Sequence, residues 1–381
     1  MKPAPFKLER YFAAHEFSAA YLLCSSDCES MEIGELLALE PGAYEDFSRL
    51  RLGYTESTGN PDLRRAIATL YTRVAMDEVL VHAGAEEAIF NFMHVALEAG
   101  DQVIVHSPYY QSLGEVARAL GAEVSEWRGN PEHGWALDIA TLKQKLTPRT
   151  RVVVVNFPHN PTGFIPGVEF IRELSALAEQ HGFIIFSDEV YRGLEADPAD
   201  RLPAVADLNA RAVSLGVMSK TYGLPGLRIG WIATRDRDLY HRMAAFKDYT
   251  TICNSAPSEF LATLALRHAE ALGARNRQII QDNLDRLDGY FADHQDLFAW
   301  YRPKAGSVAF PTLLHGDVEA FCTDLIRDAG VLLLPGTLYG PGFNCFRIGF
   351  GRKNLPEALH RLAAHTRKAM SQRTAGGDQN A

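Results

Sequence analysis

Three short apolar runs, each followed by a polar side chain, constrain the fold of this chain more than any other feature. The runs and their polar residues are 152–155 with Asn160, 183–186 with Asp188 and 213–218 with Lys220. Continuous apolar runs of this length are typical of parallel strands buried on both faces. Because ligands bind at the carboxyl ends of strands in open α/β sheets, the runs direct these three side chains to one site.

The segment 219–230 adds a reactive amine and a cation to that site. It places Lys220 eight residues before Arg228, among glycines and other small residues. A lysine reacts as a neutral amine only in a tight, partly desolvated site. The guanidinium of Arg228 offers a fixed set of donors that suits a phosphate. Imine formation together with phosphate binding is what pyridoxal 5′-phosphate requires of a protein.

The apolar pattern divides the chain into two domains. Candidate strands alternate with candidate helices between residues 80 and 232, which predicts a mostly parallel sheet flanked by helices. A helix near residues 271–294 leaves this domain, and the apolar runs 310–314, 331–334 and 346–350 predict the sheet of a smaller α+β domain. The predicted units are an N-terminal segment 1–45 packed on the small domain, the large cofactor domain 46–270, the small domain 271–370 and a disordered tail 371–381.

Composition argues against several classes of protein. The chain has 381 residues, 47% of them hydrophobic, and a net charge of −9, which argues against nucleic acid as the main partner. We find no apolar run long enough to cross a membrane, and charged residues interrupt the first twenty positions as they would not in a secretory signal. Five scattered cysteines suit a reducing cytoplasm, and Cys24 and Cys28 lack the second pair that a metal site would need.

Four motifs in a fixed order resemble the fold-type I pyridoxal phosphate enzymes of the class I and II aminotransferase family. They are Asn160-Pro161-Thr162-Gly163, Asp188 with Tyr191, Ser219-Lys220 with Arg228, and Phe346-Arg347-Ile348-Gly349. The resemblance extends from about residue 54 to residue 352. It implies the fold of that family, a large domain built on a mostly parallel sheet and a smaller α+β domain.

The resemblance implies a role in catalysis for three residues. Lys220 would form the Schiff base with the cofactor and carry the proton between the substrate Cα and the cofactor. Asp188 would keep the pyridine nitrogen protonated, so that the ring can accept electrons. Tyr191, together with Asn160, would hydrogen-bond the phenolic oxygen of the cofactor.

The resemblance also implies a phosphate site. Its members would be Arg228, Ser219 and the backbone amides of Gly84, Ala85 and Glu86. A glycine at a helix N-terminus lets N–H groups approach a phosphate. Relatives often place a further hydroxyl three positions before the lysine, where this chain has Val217.

Two tyrosines complete the implied cofactor site. Tyr110 would stack on the cofactor ring, with Tyr109 as the competing choice. Tyr54 resembles the tyrosine that reaches the phosphate of the neighbouring subunit. The active unit would then be a homodimer with shared sites.

For the substrate, the resemblance implies that Arg347 grips the α-carboxylate and that Ser25 contributes from the N-terminal segment. Relatives specific for dicarboxylates use a second arginine just before Asn254, but residues 249–253 of this chain contain none. We therefore expect an amino-acid substrate whose side chain carries no second carboxylate. Asp27 and Glu29 could meet a guanidinium or ammonium group, or could be solvated loop carboxylates.

Three functions remain open at this point. The first is an aminotransferase acting on an L-amino acid and a keto acid. The second is a lyase or cyclase acting at Cβ or Cγ, as in the capreomycidine-synthase-like branch that the N-terminal segment resembles. The third is a non-catalytic pyridoxal phosphate-binding module, against which the acidic composition counts.

Overall fold

A computed structural model describes residues 2–377 of the chain, and side chains up to residue 367. The N-terminal part consists of short elements: α1 Lys7–His15, β1 Tyr21–Leu22, α2 Ile33–Leu37, α3 Ala43–Ser48 and α4 Pro61–Ala68. The start of α4 illustrates a local sequence signal. The Asn60 side chain accepts a hydrogen bond from the Asp62 amide, and Pro61, which needs no partner for an N–H group, occupies the first turn.

A seven-stranded sheet within residues 2–377 forms the centre of the fold. Its strands are β2 Val79–His82, β3 Gln102–Ser107, β4 Glu123–Arg128, β5 Thr150–Asn156, β6 Ile184–Asp188, β7 Val213–Val217 and β8 Gly230–Ala233. They lie in the order β2-β8-β7-β6-β5-β3-β4. The pairs from β4 to β7 are parallel, and β8 is antiparallel to both neighbours. The predicted mostly parallel sheet is confirmed.

Helices cover both faces of this sheet. They are α5 Ala85–Ala96, α6 Ser112–Ala119, α7 Ile139–Lys145, α8 Val168–His181, α9 Val205–Leu208, α10 Arg237–Lys247, α11 Ala256–Arg267 and α12 Ala269–Ala292. Strand β5 shows how one apolar run serves both faces. Val152 and Val154 belong to the core that contains α5, whereas Val153 and Val155 belong to the core that contains α8.

The C-terminal part contains shorter strands. Its elements are β9 Phe298–Ala299, β10 Val308–Ala309, β11 Thr312–Leu313, α13 Val318–Ala329, β12 Val331–Leu332, β13 Leu334–Pro335, β14 Phe346–Gly349 and α14 Leu355–Gly377. The predicted small-domain sheet is divided: β10, β14 and β13 form one sheet, β11 pairs with β9, and β12 pairs with β1. Pro311 and Pro335 limit strand length because proline has no N–H group for a sheet.

Strand β1 adds the N-terminal segment to the C-terminal part, since Tyr21 pairs in parallel with Val331. Helix α14 extends to Gly377 and so includes residues 371–377, which were predicted to be disordered. Residues 378–381 of the predicted tail, and Met1, lie outside the described residues. The domain boundaries stay predictions. No helix within residues 2–377 combines the length and apolar composition needed to cross a membrane.

The strand register brings polar groups to one edge of the sheet. Asn156 at the end of β5 lies beside Asp188 at the end of β6, and its side chain donates a hydrogen bond to the Asp188 carbonyl over 2.8 Å. The next strand, β7, ends three residues before Lys220. The three carboxyl ends therefore meet where the sequence predicts a site.

Candidate functional site

A cavity of about 280 Å³ opens at this edge of the sheet. The predicted residues that line it are Ala85, Glu86, Tyr110, Asn160, Asp188, Tyr191, Ser219, Lys220, Arg228 and Arg347. They come from strands, loops and the start of α5, separated by up to 262 positions, so the fold brings together residues that are distant in the sequence.

Lys220 follows β7 in a tight turn that faces the cavity. Its Nζ donates a hydrogen bond to Ser26 Oγ over 2.7 Å. Burial lowers the pKa of Lys220, although the carboxylates of Asp27 and Asp188 partly oppose this effect. The amine is therefore easier to deprotonate than a surface lysine, as a nucleophile and proton carrier must be.

Asp188 ends strand β6 with its carboxyl group buried. Oδ1 accepts a hydrogen bond from the Val190 amide over 3.2 Å. Burial raises the pKa of Asp188 to about 7, with a smaller opposing effect from that bond and from Lys220. A buried carboxyl of this kind gains a charge partner when a protonated ring nitrogen binds beside it. Asp188 thus fits the predicted role opposite the pyridine nitrogen.

Two further groups at the cavity have unused hydrogen-bonding capacity. The buried hydroxyl of Tyr191 has no hydrogen-bond partner in the described part of the chain. Asn160 Oδ1 accepts from Tyr339 and Arg347, while its Nδ2 makes no bond within residues 2–377. Buried polar groups are almost always satisfied, so these donors suit a ligand oxygen. The phenolic oxygen of pyridoxal phosphate fits them.

The turn before α5 forms an anion cradle. Gly84 has a φ of +87°, and a Cβ built there would lie 2.5 Å from Nη2 of Arg228. The guanidinium thus lies directly against the turn whose following amides, at Ala85 and Glu86, begin α5. Helix N-terminal N–H groups next to an arginine suit a phosphate, and Ser219 lines the same cavity.

Arg347 is almost completely buried, with 2% of its surface exposed. Its Nε donates to the Cys24 carbonyl over 3.0 Å, and Nη1 donates to the Tyr339 hydroxyl over 2.9 Å and to Asn160 Oδ1 over 3.3 Å. Nη2 makes no hydrogen bond in the described chain. Because two nitrogens fix the plane of the guanidinium, the group is oriented in advance to bind a carboxylate at the cavity.

Three predicted residues do not line the cavity, namely Gly84, which belongs to the adjoining anion cradle, Ser25 and Tyr54. Ser25 is absent from the cavity lining, and its backbone packs directly against Gly349 of β14. The cavity is lined by Ser26 instead, because consecutive side chains of an extended segment point in opposite directions. Tyr54 is 96% exposed, and its role at a neighbouring subunit stays a prediction.

Helix α1 contributes residues that sequence reasoning did not select, Leu8, Glu9 and Phe12. Glu9 Oε1 accepts a hydrogen bond from the Tyr110 hydroxyl over 3.0 Å, between residues 101 positions apart. Tyr109, the alternative to Tyr110, packs against Gly114 instead. No motif marks Glu9, because only the docking of α1 brings it to the cavity.

The two carboxylates considered from sequence for a cationic substrate side chain, Asp27 and Glu29, do not line the cavity. Asp27 makes an ion pair with Arg352 over 2.9 Å, and Glu29 accepts a hydrogen bond from the Lys353 amide. Glu86 Oε2 accepts from the Ser112 hydroxyl over 3.1 Å. Desolvation, reinforced by the charge of Glu9, raises the pKa of Glu86 to about 7.

A stacked histidine pair supports the loop that carries Asn160. The rings of His106 and His159 lie 3.6 Å apart, and both residues are 1% exposed. Burial lowers the pKa of His159 to about 3 and that of His106 well below its usual value, and protonation of His159 would lower the pKa of His106 further. Both rings are therefore neutral in the folded protein.

This pair predicts acid sensitivity. Unfolded histidines bind protons below about pH 6.5, and the folded pair does not, so stability is complete above that pH and falls as the pH decreases. We expect a loss of roughly 1.4 kcal/mol per pH unit for each proton excluded. Urea unfolding between pH 7.5 and pH 5 measures the slope. His106→Phe should reduce it, and the exposed His133→Asn should not; equal slopes in all three proteins would contradict the assignment.

Comparisons with known proteins agree on one family. The model of aminotransferase class I and II matches residues 25–362. Capreomycidine synthase from Streptomyces vinaceus is 33% identical, over 94% of this chain and 92% of its own. Aspartate/prephenate aminotransferase from Thermus thermophilus is 31% identical, over 81% of this chain and 82% of its own. A PLP-dependent aminotransferase from Streptococcus suis superposes with a TM-score of 0.91 at 32% identity, covering 97% of this chain and 99% of its own. The PLP-dependent cyclase OrfR gives a TM-score of 0.88 at 30% identity and covers 97% and 98%.

Proposed function

Because the chain belongs to the aminotransferase class I and II family, we propose that it is an aminotransferase that moves an amino group from an L-amino acid to a keto acid. Its cofactor is pyridoxal 5′-phosphate, as in the similar structures. The observation that carries the proposal is the arrangement around one cavity of Lys220, with its lowered pKa, Asp188 and Arg347.

Each of these residues acts on a different part of the reaction. When bound, pyridoxal phosphate supplies an aldehyde that binds amines covalently and a ring that accepts electrons from Cα. Arg347 binds the α-carboxylate and sets which Cα bond faces Lys220. Lys220, as a neutral amine, takes the proton from Cα and can then donate it to a different atom. Asp188 would stabilise a positive charge on the ring nitrogen of the cofactor.

The fate of the amino nitrogen tests this proposal. The purified enzyme is incubated with ¹⁵N-labelled amino acids and a keto acid, and the label is followed by mass spectrometry. Label in a new amino acid supports transamination. Label that leaves as ammonia, or stays in a cyclic product, contradicts transamination and supports the second candidate below. No reaction with any amino acid would contradict both.

The second candidate is a lyase or cyclase acting at Cβ or Cγ. The similarity to capreomycidine synthase and to the cyclase OrfR favours it. The residues that hold the cofactor are the same for both candidates, since both begin with loss of the Cα proton. They differ in what leaves or attacks the substrate side chain.

We also propose that the substrate side chain is cationic. Glu9 and Glu86 both line the cavity, and their hydrogen-bond partners are the hydroxyl groups of Tyr110 and Ser112 rather than cations. A second substrate carboxylate would approach two acids. A guanidinium or ammonium group would instead form charge-assisted hydrogen bonds with them.

L-Arginine and L-citrulline, which match in shape but not in charge, test the charge preference. We expect kcat/KM for arginine to exceed that for citrulline by about 10²-fold, from roughly 1.5–3 kcal/mol per charged hydrogen bond. The preference should grow above pH 7, where Glu86 is ionised. Glu9→Gln and Glu86→Gln should reduce it, while Glu16→Gln, just beyond the end of α1, should not. Equal use of both substrates would contradict the proposal.

A homodimer and a cytoplasmic location are further parts of the proposal. Large apolar side chains near the chain segments 52–54 and 249–252 are strongly exposed, namely Leu52, Tyr54, Tyr249 and Ile252. A surface of this kind suits burial against a second copy, which would bring Tyr54 to the neighbouring phosphate site. Sedimentation of a monomer at micromolar concentration would contradict the dimer.

A further inference from the structure

Glu87 follows Glu86, which lines the cavity, and joins two segments that the proposed function does not connect. Its Oε2 accepts a hydrogen bond from the Ala83 amide over 2.6 Å. Its Oε1 accepts from the hydroxyl groups of Thr250 and Thr251 over 2.5 and 2.7 Å. One carboxylate therefore holds the turn that precedes α5 against the 249–253 loop.

On one side, the group that Glu87 holds is the Ala83 amide, which lies next to the anion cradle. Ala83 immediately precedes Gly84, whose positive φ sets the direction of the amides that begin α5. Glu87 lies within the first turn of α5 and folds back onto Ala83. Burial alone would raise the pKa of Glu87, but the neighbouring His82 ring, followed by the hydrogen bonds from Thr250, Ala83 and Thr251, lowers that pKa well below its usual range, so Glu87 stays ionised. An ionised acceptor holds the Ala83 amide more firmly than a neutral one.

On the other side, Lys247 fixes the 249–253 loop in place. The fully buried Lys247 donates to the carbonyls of Ser57 and Ile252, each over 2.9 Å. The same loop exposes Tyr249 and Ile252, which are 89% and 55% accessible. Glu87 is thus hydrogen-bonded to the loop whose exposed side chains are proposed to meet a second copy.

We propose that Glu87 is a positioning residue for the cofactor phosphate: it holds the turn at Ala83 and Gly84 against the 249–253 loop, so that the turn binds a phosphate only while the loop is in place. This inference rests on the proposed function, because it takes the turn as the phosphate site. It adds a residue that contacts neither phosphate nor substrate.

Electrostatics and positioning predict opposite results, which makes the inference testable. As a charge, Glu87 repels a phosphate, so removing that charge alone would tighten phosphate binding. As a positioning group, its loss would loosen the turn. Glutamine has the same shape, but its NH₂ group would face the N–H of Ala83, or its single oxygen would leave the two threonines without an acceptor.

The experiment compares the affinities of the apoprotein for pyridoxal 5′-phosphate and for pyridoxal, which lacks the phosphate. We expect Glu87→Gln to reduce the ratio of the two affinities about tenfold or more. Glu98→Gln, which removes an exposed carboxylate just beyond the end of α5 and touches neither Ala83 nor the loop, should leave the ratio unchanged. Thr251→Val removes a hydrogen bond to Glu87 from the loop and should also reduce the ratio. It serves as a second variant if Glu87→Gln does not fold.

A merely structural role would weaken both ligands alike and leave the ratio unchanged, which would overturn the inference. A higher ratio in Glu87→Gln would also overturn it, in favour of simple charge repulsion. If the unaltered protein shows no preference for the phosphorylated ligand, the phosphate site itself fails, and with it both this inference and that part of the proposed function. The first two outcomes leave the proposed function intact.

Discussion

Replacement of Lys220 by alanine is expected to lower turnover by at least about 10³-fold and to abolish covalent attachment of the cofactor. The variant loses both the amine that binds the aldehyde and the base that moves the Cα proton, and proton transfer alone contributes about 10²–10⁴-fold. Borohydride reduction followed by peptide mass spectrometry measures the attachment. In the unaltered protein the cofactor mass should be on the peptide that contains Lys220.

The cavity also allows a rescue test of the Lys220 variant. Removing the lysine side chain leaves room beside Ser26, its hydrogen-bond partner, for a small amine. Added methylamine should restore part of the turnover because it supplies a base at the same place. Lys143→Ala, which breaks an exposed ion pair with Glu173, should retain full activity. Cofactor mass on another lysine, or near-normal turnover in Lys220→Ala, would disprove the assignment.

Asp188→Asn is expected to lower kcat by about 10³-fold while the variant stays folded. Asparagine retains an oxygen to accept the Val190 hydrogen bond but cannot stabilise a positive charge on the cofactor ring, and each 1.4 kcal/mol of lost stabilisation costs tenfold in rate. Steady-state kinetics with saturating cofactor measure kcat, and equilibrium dialysis measures cofactor affinity, which should also fall.

An exposed acid provides the control for this substitution. Asp238→Asn changes the charge equally but alters only a surface ion pair with Arg242. Its kcat should remain within about twofold of normal, since exposed ion pairs contribute little. If Asp188→Asn turns over as fast as this control, the carboxylate does not serve the cofactor ring.

The central strands and the edge where they meet could be predicted because their signals are local. A run such as Val152–Val155 is apolar at every position, so it fits a strand buried on both faces and its end fixes where Asn156 and Asn160 lie. Lys220 and Arg228 were identifiable for the same reason, since the turn between them is encoded within a few residues.

The residues that were missed depend on tertiary packing. Glu9 reaches the cavity only because α1 docks across it, and Tyr339 meets Arg347 only after β14 is in place. Ser25 does not line the cavity whereas the next residue, Ser26, does, because successive side chains of an extended segment point to opposite sides of the chain. The small-domain strands were too short for periodicity to show their partners.

The contact of Arg347 with the Cys24 carbonyl joins residues 323 positions apart, and that of Tyr11 with the Leu333 carbonyl joins residues 322 positions apart. At a synthesis rate of roughly 5–20 residues per second, the N-terminal segment waits about 15 to 60 seconds for the residues it must meet. During that time its apolar side chains have no final place in the nascent chain. A ribosome that stops before residue 347 would therefore release a chain that lacks Arg347, so the Cys24 carbonyl would have no guanidinium to bind.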